Sequence, residues 1–267
     1  MAENIYETEG DYQLHTGDIE GAIKSYTQAI EQEPNNAKLY LKRAAAEDIE
    51  GMADEFFEDY TKVTQIAPNT AEFYYAKSHL TYSFGEGDFP SDKEKQEALS
   101  YADKAIELDL NYAAAYDWRA FLKKELNDYT GALADHDKAI ELVYDYYYFY
   151  FFRAETRSKI KDFGGAIKDY SKAIELNPKF AYAYKQRGNL LNKIGDKQTA
   201  KEDFKNARKL KKFDKNIIVL FVLVLICLIP LIHRIIEIYK TTDKLAFLVI
   251  CMAPIILTIV TILTRKK

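Results

Sequence analysis

The pentapeptide KAIEL occurs three times in this chain of 267 residues, at Lys104–Leu108, Lys138–Leu142 and Lys172–Leu176. The three copies are evenly spaced, with a period of 34 positions. A fixed period of this length indicates stacked helical hairpins. One hairpin cannot bury its apolar stripe alone, so neighbouring hairpins cover one another and the stack presents a long concave surface.

Prolines mark the ends of the repeated units. Pro34 and Pro68 are also one period apart, whereas the interval from Pro68 to Pro178 is longer than three periods by eight positions. We place the eight extra residues between Gly85 and Ala98, in the segment EGDFPSDKEKQE, where Gly, Pro and charged residues predict an enlarged loop. The sequence therefore predicts six units of two helices each, over residues 3–36, 37–70, 71–112, 113–146, 147–180 and 181–214.

Two further patterns recur through these units. An aromatic residue lies early in the first helix, at Tyr6, Tyr40, Tyr74, Tyr116, Tyr150 and Tyr184. Alanine recurs in the second helix, at Ala22, Ala98, Ala132, Ala166 and Ala200 and again seven residues later in each case. With these positions, residues 3–214 resemble the tetratricopeptide repeat (TPR) family. The resemblance implies an all-α fold, a right-handed superhelical solenoid whose first helices line an inner groove.

An arginine and an aspartate 16 positions later appear together in four of the six units. The two units that lack the arginine also lack the aspartate, since they have Glu9 with Ser25 and Lys77 with Tyr101. We therefore predict a structural ion pair between the two helices of one hairpin, favoured by the planar guanidinium group. The alternative is two solvated charges that vary independently. The predicted pairs are Arg43 with Asp59, Arg119 with Asp135, Arg153 with Asp169 and Arg187 with Asp203.

The groove positions of the family, carried over unit by unit, give a largely aromatic inner surface. Aromatic side chains provide large contact areas at a small entropic cost and so can anchor a bound protein or peptide. Lys185 and Asn189, one helical turn apart, can hold a carboxylate. The alternative is that some rings only fill contacts between units. The predicted partner-binding residues are Tyr75, His79, Tyr82, Phe121, Tyr148, Phe151, Tyr182, Lys185 and Asn189.

Composition argues against several other classes of function. The formal net charge is −4. From Asn216 onward, six Lys/Arg oppose two Asp/Glu, which leaves −8 on the part of the chain before Asn216 and no basic surface for nucleic acid. Cys227 and Cys251 are the only cysteines and lie in apolar runs, so neither a disulfide framework nor zinc-ligand spacing is present. The four histidines are scattered and no catalytic motif is found. We expect no catalytic residues, metal or cofactor.

Two long apolar runs follow the last repeat, at Ile217–Ile232 and Leu245–Leu263. A helix needs about 20 residues to cross a bilayer. We therefore predict a repeat domain at 1–214 followed by a transmembrane hairpin at 215–267, with spans at about 216–236 and 245–264. An incompletely crossing first segment is the alternative. Lys/Arg excess on both outer flanks predicts an integral, multi-pass membrane protein whose termini and repeats are cytosolic. Composition slightly favours a bacterial inner membrane.

These features predict a membrane-anchored scaffold whose cytosolic groove recruits a protein or peptide beside the lipid bilayer. A second hypothesis is a structural subunit of a membrane complex that assembles through the transmembrane hairpin. Retention of the partner by residues 1–215 alone, or by the hairpin alone, separates the two. An enzyme is a third possibility.

Overall fold

A computed structural model describes residues 4–50, 53–83 and 89–210 of the chain. Throughout these ranges the regular elements are helices, and consecutive helices pair into hairpins that fall within the predicted units. The expected all-α repeat fold is confirmed. The helices are α1 (Ile5–Thr16), α2 (Ile19–Gln32), α3 (Ala37–Glu50), α4 (Ala53–Ile66), α5 (Ala71–Ser83), α6 (Asp92–Leu108), α7 (Ala113–Glu125), α8 (Tyr129–Leu142), α9 (Tyr147–Lys159), α10 (Phe163–Leu176), α11 (Ala181–Lys193) and α12, described over residues 197–210.

A two-residue turn joins the helices of four hairpins. The first residue has a positive φ, which reverses the chain after the first helix, and the second is an aspartate that caps the next helix. The aspartate side chain accepts a hydrogen bond from a backbone N–H three residues later, which satisfies a donor that the helix cannot pair itself. The pairs are Gly17-Asp18, Asn127-Asp128, Lys161-Asp162 and Gly195-Asp196.

Small residues let the two helices of most hairpins approach closely. Ala22, Ala98, Ala132 and Ala166 are fully buried, as are most of the alanines seven residues further along. At Gly10 an added Cβ would lie 2.6 Å from the Tyr26 ring, so a larger side chain does not fit without rearrangement. The alanines that recur in the second helices therefore lie in the interior of the stack.

The first helices lie on the inner side of the curved stack. Besides their own hairpin partners, α3 contacts α5 and α7 contacts α9, each being the first helix of the next unit. Equivalent helices come closer together on the inside of a curve than on the outside. Side chains on α3, α5, α7, α9 and α11 therefore face the concave surface.

The eight-residue insertion is only partly a loop. Helix α6 begins at Asp92 and has 17 residues, whereas α2, α4, α8 and α10 have 14 each. Ser91 caps α6 in a capping box, in which the Glu94 side chain accepts the Ser91 N–H and the Ser91 hydroxyl accepts the Glu94 N–H. The sequence prediction of a loop up to Ala98 is therefore wrong at residues 92–97.

The predicted multi-pass membrane localisation requires correction. Among the described residues, no helix combines the length and apolar character needed to cross a bilayer. The longest, α6, has 17 residues and carries several charges, whereas about 20 apolar residues are required. The two spans predicted at 216–236 and 245–264, and the complex assembled through them, lie outside the described residues.

The turn of unit one contacts the end of unit five. A Cβ added at Gly17 would lie 2.7 Å from Asn177 Nδ2, although the two residues are four units apart in the chain. Asn177 is buried, and its side chain accepts a hydrogen bond from the Lys179 N–H. Units one and five, which are distant in sequence, therefore meet at this point of the solenoid.

This contact makes Gly17 more sensitive to substitution than Gly195, which occupies the same turn position in unit six. Both have positive φ, but nothing lies within 4 Å of a Cβ at Gly195. We expect Gly195→Ala to lower the free energy of unfolding by about 1 kcal/mol, from backbone strain alone. Gly17→Ala should cost about 1–2 kcal/mol more, because Asn177 must also move. Urea unfolding of both full-length variants measures the difference, and equal losses would contradict the contact.

Candidate functional site

The structure brings together each of the four predicted arginine–aspartate pairs. In every pair the arginine Nε and Nη2 donate to the two carboxylate oxygens, at distances between 2.6 and 2.9 Å. The aspartates are almost completely buried, with exposed fractions between 2 and 5%. Two have a second cation, since Lys123 Nζ lies 2.7 Å from Asp135 and Arg157 Nη1 lies 2.8 Å from Asp169. This bidentate geometry joins the two helices of one hairpin.

Each of these arginines also forms a hydrogen bond with the preceding unit of the solenoid. Its Nη1 donates to a polar side chain on the second helix of that unit, at 2.7 to 3.1 Å. Its guanidinium carbon lies 5.3 to 5.9 Å from the centroid of a tyrosine three residues earlier, within cation–π range. One arginine therefore links three helices. The acceptors in the preceding units are Thr27, Asp103, Asp137 and Ser171.

The two units without the pair use other interactions at the same place. In unit one, Gln13 donates to Glu9 at 3.0 Å and accepts from the Ser25 hydroxyl at 2.8 Å, so it bridges the two positions. In unit three, the Lys77 ammonium lies 4.5 Å from the centroid of the Tyr101 ring. Both substitutes keep the two helices of the hairpin linked.

His79 lies at the centre of an aromatic stack on the inner surface. Its ring is parallel to Trp118, with centroids 3.6 Å apart, and to Tyr60 at 4.5 Å, while Tyr75 meets its edge at 4.6 Å. Among the residues that the structure describes, its buried Nε2 has no hydrogen-bond partner. Burial lowers the pKa of His79 to about 3, so the imidazole is neutral at physiological pH. Tyr75 is only 8% exposed, so His79 and Tyr75 serve packing more than ligand contact.

Tyr82 and Phe121 continue this aromatic stack toward the insertion. Tyr82 meets Trp118 at 5.5 Å and Phe121 at 5.3 Å, both edge-on, and Trp118 stacks on Phe121 at 5.0 Å. The Trp118 Nε1 donates to the Ser78 hydroxyl at 2.7 Å, which fixes the indole ring. The ammonium of Lys124 lies 5.0 Å from the Phe121 centroid. Trp118, absent from the predicted set, therefore organises three of its members.

The remaining predicted groove residues differ in how much of each side chain is exposed to solvent. Phe151 is only 4% exposed, with Tyr170 and Phe180 rings 5.5 and 5.0 Å away, so it fills the core between units. Tyr182 is 44% exposed. The Lys185 ammonium lies 5.7 Å from its ring centroid. Tyr148 is half-buried, and Asn189 is exposed, with its amide donating to Gln186 at 3.2 Å. Tyr182 on α11 is therefore the exposed ring of the predicted set, whereas Tyr148 is half-buried, as are Tyr82 and Phe121.

A buried polar chain links units four and five. His136 Nδ1 lies 2.8 Å from an Asp117 carboxylate oxygen, and its Nε2 lies 3.2 Å from the Thr156 hydroxyl. His136 is 1% exposed and Thr156 is fully buried, so this acid–imidazole–hydroxyl series holds helices together and is closed to a substrate. In the described ranges, no group of three or more His, Cys, Asp or Glu side chains is placed to hold a metal ion.

Comparison with known proteins agrees with the hairpin geometry. A family model described as TPR repeat matches residues 10–46 and 159–195. The Small glutamine-rich tetratricopeptide repeat-containing protein 2 of Mycosarcoma maydis is 27% identical over 127 residues. The aligned region is 48% of this chain, and it spans about a third (34%) of the length of that relative. The described fold is a TPR solenoid.

Two solved structures share this TPR fold. A thermophilic TPR protein of Thermus thermophilus aligns with a TM-score of 0.54 and 20% identity, over 71% of this chain and 99% of that one. A chain of the APC/C hetero-tetramer Cut9-Hcn1 aligns with a TM-score of 0.57 and 15% identity, over 77% of this chain and 39% of that one. At these identities the likeness concerns the fold alone.

The concave face of the TPR solenoid contains a feature that the sequence prediction missed. Five tyrosine side chains from the middle units pack in two groups, with Tyr60 and Tyr112 against Tyr75, and Tyr148 against Tyr146. Burial raises the pKa of every one of these tyrosines, and the Asp48 carboxylate adds to the rise in four of them. We call this set the tyrosine cluster: Tyr60, Tyr75, Tyr112, Tyr146 and Tyr148.

Proposed function

We propose that the concave face binds an extended segment of a partner protein, which makes the molecule a protein–protein interaction scaffold. The observation that carries the proposal is an exposed aromatic side chain on α11. There a tyrosine that is 44% exposed, Tyr182, lies beside the Lys185 ammonium. A large ring held on a rigid helix loses little entropy when it is covered, so it can anchor a peptide.

The proposal assigns no catalytic role. Two histidines of the middle units are both occupied in packing, His79 between two aromatic rings and His136 between Asp117 and Thr156. Neither presents a nitrogen to a ligand that covers α9 and α11. TPR solenoids form extended concave surfaces suited to protein partners.

Selection from a displayed library of random peptides tests this function on the full-length chain. We expect selected peptides whose affinity falls at least about fivefold in Tyr182→Ala, since an exposed aromatic anchor contributes about 1 kcal/mol or more. Tyr12→Ala is the matched control, because Tyr12 is also a solvent-exposed tyrosine on a first helix and lies outside this surface. Equal losses in the two variants, or failure to select any peptide, would overturn the proposal.

A further inference from the structure

The outward face of unit one exposes apolar side chains at positions that other units bury. Ile5 and Tyr12 on α1 are 73 and 66% exposed. In units two, four, five and six, the residues at the position of Ile5 are at most 5% exposed, and those at the position of Tyr12 are at most 7% exposed. In those units the first helix contacts the second helix of the preceding unit. Helix α1 therefore presents an uncovered apolar stripe where the first helices of these units are covered.

The position of Tyr12 packs, in other units, against one particular position of the preceding second helix. Ala46 of unit two clusters with Tyr26 of unit one, and Leu122 of unit four clusters with Ala102 of unit three. The position that Tyr26 and Ala102 share is at most 3% exposed in units one to five. In unit six it is occupied by Phe204, which is only half-buried. The outward face of unit six is therefore open where a further first helix can pack.

This open face of α12 carries three basic residues at positions that are different in the other units. Lys201 lies where units one to five have Ile, Phe or Leu, and Arg208 lies where four of them have Ile. Lys205 lies at the position whose side chain accepts a hydrogen bond from the arginine of the following unit at four junctions. Together with Phe204 these three side chains line an open cleft. The cleft therefore combines an apolar floor with a positively charged rim.

The position that meets Lys205 in the repeat register is acidic. It is the arginine position of the first helix, which is occupied by Lys77 in unit three and by Glu9 in unit one. The Glu9 side chain is exposed. Within the solenoid, a basic residue of each first helix therefore faces a polar or acidic residue of the preceding second helix. At the two ends of the solenoid the same pair of positions is present with the charges exchanged.

The two end units also have opposite net charges. Over residues 4–36, seven acidic residues accompany one lysine, which gives −6. Over residues 181–210, eight Lys/Arg oppose three Asp/Glu, which gives +5. Complementary charges attract and orient two surfaces, whereas equal ends of two copies repel each other. The charge distribution therefore favours contact between unit six of one copy and unit one of another.

We propose that copies of this chain associate head to tail, with α12 of one copy packed against α1 of the next. In this arrangement Tyr12 covers Phe204 of the neighbouring copy, and Glu9 pairs with its Lys205. A polar outer face on unit six also suits a terminal repeat, but that role leaves the exposed apolar stripe of unit one unexplained. The interface joins two different surfaces, so it can repeat and extend the assembly beyond two copies.

Sedimentation velocity of the full-length chain tests the proposal. We expect reversible association at low salt that weakens at least about tenfold at high salt. Glu9→Lys and Lys205→Glu should each weaken it at least about tenfold, because each variant brings like charges together. An equal mixture of the two variants should recover the wild-type association, because every interface then joins a lysine to a glutamate again.

Glu31→Lys and Lys209→Glu are the matched controls. They make the same charge changes in the same two units, at exposed positions. The glutamates at the equivalent position in units three, four and five remain exposed within the stack, so a following unit does not cover this position. We expect both controls to associate as the wild type does. Circular dichroism of every variant checks that the fold is intact.

Crosslinking identifies what covers α12. A benzophenone side chain is placed at Phe204, and full-length chains labelled with heavy and light isotopes are mixed before irradiation. Products that join α12 of one copy to α1 of another are expected. Products confined to one copy, for example with residues 211–267, would show that the chain covers this face itself and would overturn the proposal.

The other outcomes are equally decisive. A wild-type chain that stays monomeric at low salt, or association that persists in both single variants, overturns the proposal. It is also overturned if the mixture fails to recover association, or if the controls weaken it equally, since only the overall charge then matters. The interface does not include Tyr182. Tyr12→Ala should therefore weaken self-association and leave peptide binding intact, and Tyr182→Ala should do the reverse.

Discussion

Replacing Arg43 with alanine is expected to lower the free energy of unfolding by about 3 kcal/mol. Asp59 is 2% exposed, and among the described residues Arg43 is the cation that pairs with it, through two hydrogen bonds of 2.8 and 2.6 Å. Glu47 also lies 3.5 Å from the arginine Nε. Burial raises the pKa of Asp59 even in the presence of Arg43, which shows how costly that carboxylate is to desolvate. Removing one partner of a buried pair leaves an uncompensated charge, which costs more than the pair contributes.

Three comparisons make this expectation specific. Arg119→Ala should cost less, because Lys123 remains 2.7 Å from Asp135. Lys24→Ala, at an exposed position of α2, should stay within about 0.5 kcal/mol of the wild type. The double variant Arg43→Met with Asp59→Leu should regain most of the loss, since apolar residues of similar size need no charge partner. Urea unfolding followed by circular dichroism gives all four values, and an Arg43→Ala loss no larger than that of Lys24→Ala would contradict the structural role.

The paired arginines show which contacts a single sequence reveals. Six internal copies act as a small alignment, so the joint presence of arginine and aspartate can be read without any relative. The contact from each arginine to the preceding unit was also readable, because the acceptors Thr27, Asp103, Asp137 and Ser171 are all polar and recur at one fixed spacing before it. The helical part of the insertion was signalled by Ser91 and Glu94, which have capping-box spacing. Each of these features depends on neighbouring residues or on the repeat period, and a single sequence shows both.

The concave face was harder to predict because its shape accumulates over several units. The contact between Gly17 and Asn177 depends on every intervening packing angle, and no local motif records that sum. The same holds for the tyrosine cluster, in which Tyr60 and Tyr148 come from units two and five. Carrying groove positions over from the family found Tyr75, Phe121 and Phe151, but it could not tell an accessible ring from a buried one. Exposure is a tertiary property, and here it favours Tyr182 over Phe151.

Acidification is expected to destabilise the folded chain through His79. Its pKa is about 3 in the folded state because the ring is buried between Tyr60 and Trp118, whereas an unfolded histidine has a pKa of about 6.5. The unfolded chain therefore takes up the proton first. The contribution of neutral His79 to stability is complete above about pH 6.5 and is lost progressively as the pH falls toward about 3. At about 1.4 kcal/mol per pH unit, the loss by pH 5 is about 2 kcal/mol.

His79→Phe isolates this effect, because phenylalanine can keep the ring stack and does not ionise. Burial raises the pKa of Asp48, Asp59 and Glu155, so these carboxylates take up protons earlier when folded and oppose the effect of His79 on acidification. Both proteins share that contribution, so their difference in unfolding free energy between pH 7 and pH 5 reports His79 alone. We expect the wild type to lose about 2 kcal/mol more than the variant over this interval. Parallel pH curves, or imidazole NMR shifts showing a protonated His79 in the folded protein at pH 5, would mean that the stacked ring is open to solvent.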